Sequence, residues 1–418
     1  MTDAQSGGLD PAAHLERILS VDLARVRQDE EALFDRSARG RPLVLMGAGQ
    51  LGRRTLAGLR ALGIEPLAFA DNARDKQGTT IEGLRVLAPR EAAREHAKTA
   101  AFVVTIWGAG SPHRYAYSHA QLQSLGCDVV LPFQLLYWKH ADTFLPHYTI
   151  DLPHKVIEAA ADIRRAFALM RNERSRLEFV EHLMFRATAG WSPRYEPPGF
   201  PQYLPPHEVA WRDDEWIVDG GAYDGDTLRS WVAWHDTRFA HWLAIEPDPA
   251  NASAFTRAAA ELPVDAQQRI ELKPVALGAA PGTLQLAATG TASTTTRISG
   301  PSAVRSLPAA DTVEVPVQPL DALVGDAPVS FIKLDIEGAE LEALEGMRGV
   351  VQRRAPVLAI CAYHRQDHLW RVPLAIHALR EDYVLHLRSH NEEGWDLVCY
   401  AVPAARSPET GARSRPAP

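Results

Sequence analysis

The sequence predicts an α/β fold with two doubly wound domains in tandem, one in each half of the 418-residue chain. Short apolar segments alternate with helical patterns in both halves, as in parallel sheets whose two faces are covered by helices. A glycine-rich turn follows an apolar strand in each half, GAGQLG (47–52) in the first and DGGAYDG (219–225) in the second. At this length, two domains with connecting helices are the expected organisation.

Composition and charge narrow the range of functions. With 46% hydrophobic and 23% charged residues, each half can bury an ordinary globular core. The net charge of −8 argues against nucleic-acid binding, which needs a basic surface. No apolar run is long enough to span a membrane, and the N-terminus MTDAQSGGLD lacks a hydrophobic signal core, so a cytoplasmic location is expected. Cys127, Cys361 and Cys399 form no CxxC pair and are expected to be buried thiols rather than zinc ligands or disulfides.

The first half is predicted to hold a helical segment (1–39), a Rossmann-like domain (40–150) and a helical linker or lid (151–212). Helical periodicity covers 11–37 and 150–188, and the proline-rich WSPRYEPPGFPQYLPP (191–206) ends the linker. The strands predicted in the first domain are PLVLM (42–46), PLAFAD (66–71), GLRVLAP (83–89), AFVVTIW (101–107) and CDVVLPF (127–133).

The second α/β domain is predicted over 213–403, followed by a disordered tail (404–418). Five strands with crossovers come first, and a terminal pair joined by a hairpin-like turn is expected to be antiparallel. The strands are IVDGG (217–221), HWLAIEP (241–247), RIELKPVALG (269–278), VSFIKLDIEG (329–338), PVLAICAYH (356–364), YVLHLRSH (383–390) and WDLVCYAVP (395–403).

The first glycine-rich turn satisfies the GxGxxG template between a strand and a helix. Gly47 permits the tight turn, Gly49 lets a diphosphate approach the backbone, and Gly52 lets the helix pack on the strand. Asp71 ends the next strand, where a ribose-binding acid would lie. The turn therefore indicates either a nucleotide site or a structural or regulatory domain that keeps the turn for folding. The stretch GAGQLG…FADN…GLRVLAP also resembles the N-terminal domains of bacterial sugar acetyltransferases, whose pocket serves a sugar nucleotide rather than NAD.

The second turn has the spacing Asp-x-Gly-x-x-x-Gly, which differs from a diphosphate loop. S-adenosylmethionine has no phosphate; it carries a sulfonium, an amino-acid tail and a free ribose. An acidic residue in the turn suits the cationic end of that cofactor, and glycines let it lie against the backbone. The residues of this turn predicted to bind S-adenosylmethionine are Asp219, Gly220, Gly221, Gly225 and Asp226.

Glu246, in AIEPDP, ends the second strand of this domain and is predicted to accept hydrogen bonds from both ribose hydroxyls. It follows Gly225 by one helix and one strand. The alternative is an ordinary acid at a strand end in an α/β fold.

The segment FIKLDIEGAELEALEGM (331–347) is the most distinctive part of the chain. Lys333, Asp335 and Glu337 are expected to alternate along one face of a strand, at the carboxyl end where open α/β sheets bind ligands. Buried charges are costly unless they are paired or used. Asp335 and Glu337 are therefore predicted to lie near the transferred group.

His364, at the end of the next strand, is the candidate base, because its reference pKa of about 6.5 suits proton transfer near neutral pH. Its alternative role is to position the cofactor or cap the strand. Asp335, Glu337, His364 and His368 could instead ligate Mg²⁺ or a transition ion. No HExxH context surrounds the histidines, so no metal is predicted.

At this point the sequence resembles the FkbM family of methyltransferases. The resemblance covers about 172–403 and rests on six motifs in order: VDGGAYDGDT, AIEPDP, VALGAAPGTLQL, VPVQPLDAL, FIKLDIEGAELEALEG and AYHRQDHLWRVP. It implies a class I methyltransferase fold with seven strands, S-adenosylmethionine as methyl donor, and a hydroxyl acceptor on a sugar, glycan or secondary metabolite such as a polyketide. The chain departs from the family at Tyr203-Leu204, where Tyr-Phe is common.

Two other functions remain open. The first is an NAD(P)- or sugar-nucleotide-dependent enzyme acting through the first domain, for which only His113 and Tyr115 offer a proton relay near 105–115. The second is a non-catalytic protein that retains the cofactor fold. Loops 188–212 and 287–312 are expected to shape the acceptor pocket, and TASTTTR (291–297) is either a substrate-contacting or a solvated loop. The oligomeric state has no signal in the sequence.

Overall fold

The computed structural model describes residues 10–108, 115–190, 198–287, 296–297 and 312–408. The chain divides into two compact units. Unit 1 comprises Met1–Ala160, Val180–Tyr195 and Asn391–Trp395, and unit 2 comprises Ala161–Phe179, Glu196–His390 and Asp396–Pro418. No helix within the described ranges has the length and apolar character required to cross a membrane.

Unit 1 is built around a parallel sheet with helices on both faces. Its elements are α1 (Pro11–Leu19), α2 (Leu23–Ala38), β1 (Leu43–Met46), α3 (Gln50–Ala61), β2 (Ala68–Ala70), β3 (Thr80–Ile81), β4 (Leu84–Leu87), α4 (Pro89–His96), β5 (Ala101–Val104), α5 (Tyr115–Ser124), β6 (Val130–Pro132), α6 (Phe133–Lys139), α7 (Ala141–Phe144) and α8 (His154–Glu158). The strand order is β3-β4-β2-β1-β5-β6. Successive residues of β1 alternate between two hydrophobic clusters, which explains why these strands are apolar throughout.

The predicted strands of unit 1 are all present, and two local features differ from expectation. β3 pairs antiparallel with β4 across Glu82 and Gly83, both at positive φ (49° and 79°), as a two-residue hairpin turn requires. The predicted helix 11–37 is two helices, because the Asp22 carboxylate accepts a hydrogen bond from the Arg25 amide (2.8 Å) and starts α2 anew.

Two helices follow α8 in the chain, α9 (Ala160–Leu169) and α10 (Glu173–Thr188). Together with α8 they replace the continuous helical pattern predicted over 150–188. The boundary between the units falls within α10, at Val180.

Unit 2 contains a seven-stranded sheet flanked by helices. Its further elements are β7 (Trp216–Gly220), α11 (Asp226–His235), β8 (His241–Ile245), α12 (Pro249–Ala260), α13 (Val264–Gln267), β9 (Ile270–Lys273), β10 (Ala276–Leu277), β11 (Gly282–Ala287), β12 (Thr296–Arg297), β13 (Thr312–Gln318), α14 (Leu320–Val324), β14 (Phe331–Leu334), α15 (Glu340–Gly346), α16 (Arg348–Arg354), β15 (Val357–Cys361), α17 (His368–Leu379), β16 (Tyr383–Ser389) and β17 (Leu397–Pro403).

The order of the large sheet is β16-β17-β15-β14-β7-β8-β9. Five strands are parallel, and β17 runs antiparallel to both β15 and β16, so the predicted fold with seven strands is confirmed. The chain leaves β7 toward β8 and β9, then returns to β14 on the other side of β7. The carboxyl ends of β7 and β14 therefore form the switch point at which open α/β sheets bind ligands.

Sequence patterns did not predict a second, four-stranded sheet in the order β10-β13-β11-β12. The single strand predicted over 269–278 is divided at Pro274 between the two sheets, because proline donates no hydrogen bond to a ladder. Of TASTTTR, only Thr296 and Arg297 are described, in β12; the rest lies outside the described residues.

The start of the predicted disordered tail is ordered. Ala404–Arg406 form a 3₁₀ turn, and the Arg406 guanidinium donates to the carboxylate of fully buried Glu215 and, through Nε, to the Ala210 carbonyl (3.0 Å). A buried carboxylate needs such a partner, and this holds the first residues of the segment in place. Residues 409–418 lie outside the described part of the chain.

Candidate active site

Asp219 and Lys333 are an ion pair between the two strands at the switch point. They are register partners on β7 and β14, and Lys333 Nζ lies 3.1 Å from Asp219 Oδ1. Lys333 also donates to the Gly221 carbonyl. Asp219 Oδ2 has no hydrogen-bond partner among the described residues, although the side chain is fully buried. An orphaned buried carboxylate oxygen is costly, and it marks a place where a donor from a ligand would fit.

The glycines of the second turn are required by close packing of the chain. A Cβ on Gly221 (φ 74°) would lie 1.9 Å from the Asp335 carbonyl oxygen, and one on Gly220 would lie 2.7 Å from a Leu334 methyl group. Gly225 (φ 88°) is the residue before α11 and adopts a left-handed conformation that favours glycine. These three positions thus bring the turn against the segment after β14 and start the helix.

Glu246 is held rigidly after β8. Its Oε2 accepts from the Tyr223 amide and its Oε1 from the Asp248 amide, both at 2.9 Å. The Tyr223 contact ties Glu246 to the glycine-rich turn. The first residue of α11, Asp226, accepts from the Thr227 amide at 2.8 Å. Both carboxylates therefore lie along the carboxyl edge of the sheet, as predicted from their positions at strand and turn ends.

Asp335, His364 and Glu340 form a chain of ion pairs beside this edge. His364 Nε2 lies 3.2 Å from Asp335 Oδ1, and His364 Nδ1 lies 2.7 Å from Glu340 Oε1. Glu340 Oε2 lies 3.2 Å from Nδ1 of buried His368. His364 is thus flanked by a carboxylate at each ring nitrogen.

This arrangement controls the protonation of His364. Burial alone would lower its pKa, but the Glu340 charge and the hydrogen bonds to Asp335 and Glu340 outweigh burial and raise the pKa well above the ordinary value. Burial alone would raise the pKa of Asp335, but the contacts with His364 and the charge of Lys333 outweigh burial and lower this pKa below its ordinary value. At neutral pH, His364 is therefore an imidazolium between two carboxylates rather than the free base that its reference pKa suggested.

Glu340 is a buried residue of this chain that sequence reasoning missed. It begins α15, and its Oε1 also accepts from the Ile336 amide at 3.0 Å. The predicted strand alternation ends at Leu334, so Glu337 does not share the face of Lys333. Glu337 lies instead on an exposed turn at φ 55°. The acidic residue at the start of the following helix was the signal that could have identified Glu340.

Tyr203 is a second residue of the site to which the sequence analysis assigned no role. Its hydroxyl donates to Asp335 Oδ2 (2.7 Å), and its ring lies under Lys333 Nζ at 5.3 Å from the centroid. The residue is buried and has a φ of 71°, which is strained for tyrosine. Tyr203 therefore joins the two ionic groups of the site from a segment that precedes β7. In the sequence it stood out only through its place in the proline-rich linker and through the Tyr203-Leu204 pair that is compared with the family.

Carboxylates outnumber cations around Lys333. Burial raises the pKa of Asp219 to about 6 against the opposing charge of Lys333, and burial also raises the pKa values of Asp226 and Glu246. Burial would lower the pKa of Lys333, but Asp219, Asp335 and Asp226 raise it. A cationic ligand would relieve this excess of negative charge.

Three of these side chains are also close enough to share a metal ion. Ligand atoms of Asp335, Glu340 and His364 all lie within 4.8 Å of one another. The set differs from the one considered in the sequence, because it contains Glu340 and not Glu337 or His368. An ion there would have to displace the proton of His364 from between two carboxylates.

The first glycine-rich turn is shaped mainly by its own contacts in unit 1. A Cβ on Gly47 (φ 114°) would lie 2.5 Å from Ile106, and one on Gly52 would lie 2.0 Å from the Gly47 carbonyl oxygen. Gly49 has open space beside it. Asp71 accepts from the Ala48 amide at 2.7 Å and the Ala73 amide at 2.8 Å, so its carboxylate braces the turn.

His113 and Tyr115 were considered as the proton relay of an NAD(P)- or sugar-nucleotide-dependent enzyme. His113 lies outside the described residues. Burial, with the Glu393 charge adding to it, raises the pKa of Tyr115 to about 12. A phenol with that pKa is poorly matched to proton transfer near neutral pH.

A family model matches part of unit 2, and one solved structure is similar over most of the chain. Residues 219–390 match the family model of the methyltransferase FkbM domain. A methyltransferase FkbM from Methylobacillus flagellatus KT has a TM-score of 0.71 and 22% identity, over 94% of this chain and 100% of that chain. No curated protein matches the sequence.

Two further solved structures are similar over smaller parts. A UDP-D-quinovosamine 4-dehydrogenase from Vibrio fischeri is 25% identical over 22% of this chain and 76% of its own, with a TM-score of 0.19. A methyltransferase from Geobacter sulfurreducens is 14% identical over 63% of this chain and 93% of its own, with a TM-score of 0.26. Scores this low carry no argument about fold or function. The first structural match has the same fold as this chain, and the family match lies within unit 2, which holds the seven-stranded sheet: residues 219–390 are a methyltransferase domain of the FkbM family.

Proposed function

We propose that the protein transfers a methyl group from S-adenosylmethionine to a hydroxyl oxygen of a sugar, glycan or secondary metabolite. The observation that carries this proposal is the fully buried Asp219 carboxylate, which lies beside a glycine turn and whose Oδ2 finds no hydrogen-bond partner in the described part of the chain. The wider site is rich in carboxylates at the switch point of a methyltransferase domain. S-adenosylmethionine supplies an electrophilic methyl group on a sulfonium, which leaves as a neutral thioether.

The charges of the site fit a cationic donor. Asp219 and Asp226 offer carboxylates to an ammonium and a sulfonium, and Glu246 faces the same edge with both oxygens already oriented by backbone amides. A carboxylate held in this way can accept hydrogen bonds from the ribose hydroxyls without changing its own orientation. Lys333 lies behind Asp219 and keeps that group ionised near neutral pH.

The Asp335–His364–Glu340 chain takes up the proton that the acceptor hydroxyl loses. Two carboxylates and one imidazolium carry a net charge of −1, so the chain can take up one proton. As the hydroxyl oxygen bonds to the methyl carbon it becomes strongly acidic, so its proton passes to Asp335, the partly exposed member of the chain, even though the pKa of that carboxyl is lowered. His364 then stabilises and orients Asp335, and Glu340 keeps His364 charged. Glu337, on the adjacent exposed turn, is proposed to contact the acceptor.

The proposal is tested by calorimetric titration of the full chain with S-adenosylhomocysteine. We expect tight binding that Asp219→Ala and Glu246→Ala each weaken at least about tenfold, since each removes a charge-assisted hydrogen bond. Asp224→Ala is the matched control, because Asp224 lies in the same turn but pairs with Arg229 at the surface (2.7 Å). It should bind like the wild type.

NAD and UDP-glucose are titrated in parallel, because the first glycine-rich turn is the competing nucleotide site. Gly47, Gly49, Gly52 and Asp71 would hold such a nucleotide. If the wild type binds one of these and not S-adenosylhomocysteine, the methyltransferase proposal is rejected and the activity moves to unit 1.

A further inference from the structure

An open cleft of about 450 Å³ lies in unit 2, next to Tyr203 in the chain. Its described lining residues are Pro198, Gly199, Phe200, Pro201, Gln202 and His390. Small-molecule sites in proteins have volumes of about 300–1,000 Å³. The cleft is therefore of a suitable size for a small acceptor.

The two polar side chains of the described lining are joined to Tyr203 by hydrogen bonds, Gln202 directly and His390 through Tyr400. Gln202 Nε2 donates to Tyr203 Oη (2.8 Å), which donates to Asp335 Oδ2 (2.7 Å). On the other wall, His390 Nε2 lies 2.8 Å from Tyr400 Oη, which accepts from the Tyr203 amide at 2.9 Å. Two hydrogen bonds thus separate a polar group of the cleft from the carboxylate that is proposed to receive the proton.

The described lining of the cleft carries no charge near neutral pH. Burial, with the charges of Arg174 and Arg388 adding to it, lowers the pKa of His390 to about 4, so the imidazole is neutral near neutral pH. Phe200 is half-buried and packs edge-on against the His390 ring, with 5.4 Å between centroids. The cleft therefore offers an aromatic surface beside a neutral amide and a neutral imidazole.

We propose that this cleft is the acceptor site and that the acceptor is an uncharged sugar; this inference rests on the proposed function. A pyranose has apolar C–H faces that pack on an aromatic ring, and hydroxyls that pair with amide and imidazole groups. A phosphorylated or nucleotide-linked sugar would place its charge against an uncharged lining and near Asp335. Tyr203 is then a positioning residue that holds Asp335 toward the cleft.

The experiment measures S-adenosylhomocysteine released from S-adenosylmethionine by the full chain with a panel of acceptors. The panel contains uncharged methyl glycosides of glucose, galactose, mannose and rhamnose, the charged sugars glucose 6-phosphate and UDP-glucose, and catechol as a planar phenol. We expect turnover with an uncharged glycoside. Phe200→Ala and Phe200→Leu should raise its KM about tenfold with kcat changed less than about threefold, because they remove acceptor binding.

His207→Ala is the control, since His207 is exposed in the same segment but does not line the cleft; it should behave like the wild type. Binding of S-adenosylhomocysteine shows that a variant is folded. If Phe200→Ala does not fold, the KM of Phe200→Leu decides the test. Turnover only with charged sugars or catechol, turnover with none of the panel, or an unchanged KM in Phe200→Leu overturns the inference. If the wild type binds S-adenosylhomocysteine in any of these cases, donor binding stands; if it binds none, the proposed function itself fails.

Discussion

At the scale of single residues, the site is defined by charges that the fold buries and pairs incompletely. Asp219 and Lys333 pair across two strands, yet four carboxylates surround this one cation, and the pKa of Asp219 rises to about 6. Such a site holds its carboxylates ready for a cation at the expense of stability without one.

The affinity for S-adenosylhomocysteine should depend on pH through Asp219. The ligand ammonium pairs with the ionised carboxylate, so the dissociation constant should be constant above the pKa of about 6 and rise below it, by up to about tenfold per pH unit. Calorimetry at pH 5, 6 and 7.5 measures this. Asp219→Asn should bind weakly and lose the dependence between pH 5 and 7.5. An equally steep dependence in Asp219→Asn would assign it to another group.

The His364–Glu340 pair should contribute to stability over a defined pH range. Because the folded-state pKa of His364 is raised, its contribution is complete below the unfolded value of about 6.5 and is lost as pH rises through the folded value. Because the pKa of Glu340 is lowered, its contribution is complete above about pH 4.3 and is lost as pH falls through the folded value. The pair therefore contributes most to stability between about pH 4.3 and pH 6.5, the two unfolded values.

Glu340→Gln should lower the free energy of unfolding near pH 6 by about 3 kcal/mol, because it leaves His364 buried without its main counter-charge. Urea unfolding at several pH values measures this, and imidazole NMR should show His364 titrating at lower pH than in the wild type. Glu342→Gln, at an exposed position of the same helix, is the matched control. Equal stability and an unchanged His364 titration in Glu340→Gln would contradict the ion-pair assignment.

At the scale of elements, the site depends on a segment that is not itself a helix or strand. Residues 198–210 lead to β7 and carry Tyr203 and Glu208. Arg388, on β16, donates through Nε (2.9 Å) and Nη2 to Glu208 Oε1, and through Nη1 to Ser175 Oγ (2.9 Å). Arg388 and Glu208 are both buried, so this pair anchors the segment on the sheet.

Removing one partner of this pair should be strongly destabilising. Glu208→Ala leaves Arg388 buried without its carboxylate, and we expect a loss of about 3 kcal/mol in the free energy of unfolding, measured in urea. Asp367→Ala, which breaks a partly exposed pair with Arg371, should cost less than about 1 kcal/mol. Similar losses in both variants would show that Arg388 finds another partner when Glu208 is removed.

At the scale of the whole molecule, two units each carry a glycine-rich turn between a strand and a helix. Within the described ranges, the turn of unit 2 lies beside a buried carboxylate that has an oxygen without a hydrogen-bond partner, whereas in unit 1 the Asp71 carboxylate accepts from the amides of Ala48 and Ala73. The two turns therefore differ in what they leave for a ligand, although their sequence contexts are similar.

Hydrogen exchange of the full chain should reveal which unit binds the donor. We expect S-adenosylhomocysteine to slow exchange in peptides covering 216–228 and 241–250, since bound ligand stabilises the segments it contacts. Peptides covering 43–56 should be unaffected. Protection confined to 43–56 would place the donor in unit 1.

The sequence by itself determined the fold of the second unit and placed several charged residues at the carboxyl edge of its sheet. Apolar strands, helical periodicity and two glycine-rich turns are local signals, and each is read from residues that adjoin in the chain. Asp219, Glu246 and Asp335 were singled out in this way, because the carboxyl ends of parallel strands lie together at one edge of the sheet.

Only the tertiary structure decided which distant groups meet. Tyr203 reaches Asp335 across 132 residues, and Glu340, rather than Glu337, meets His364. The protonation of His364 likewise depends on two carboxylates that reach it only in the folded chain. Periodicity could not show that the strand ends at Leu334, because the turn that ends it is set by the close approach of Gly221 to the Asp335 carbonyl. Strand ends are local properties of the sequence, whereas ion pairs and pKa values depend on distances that folding alone creates.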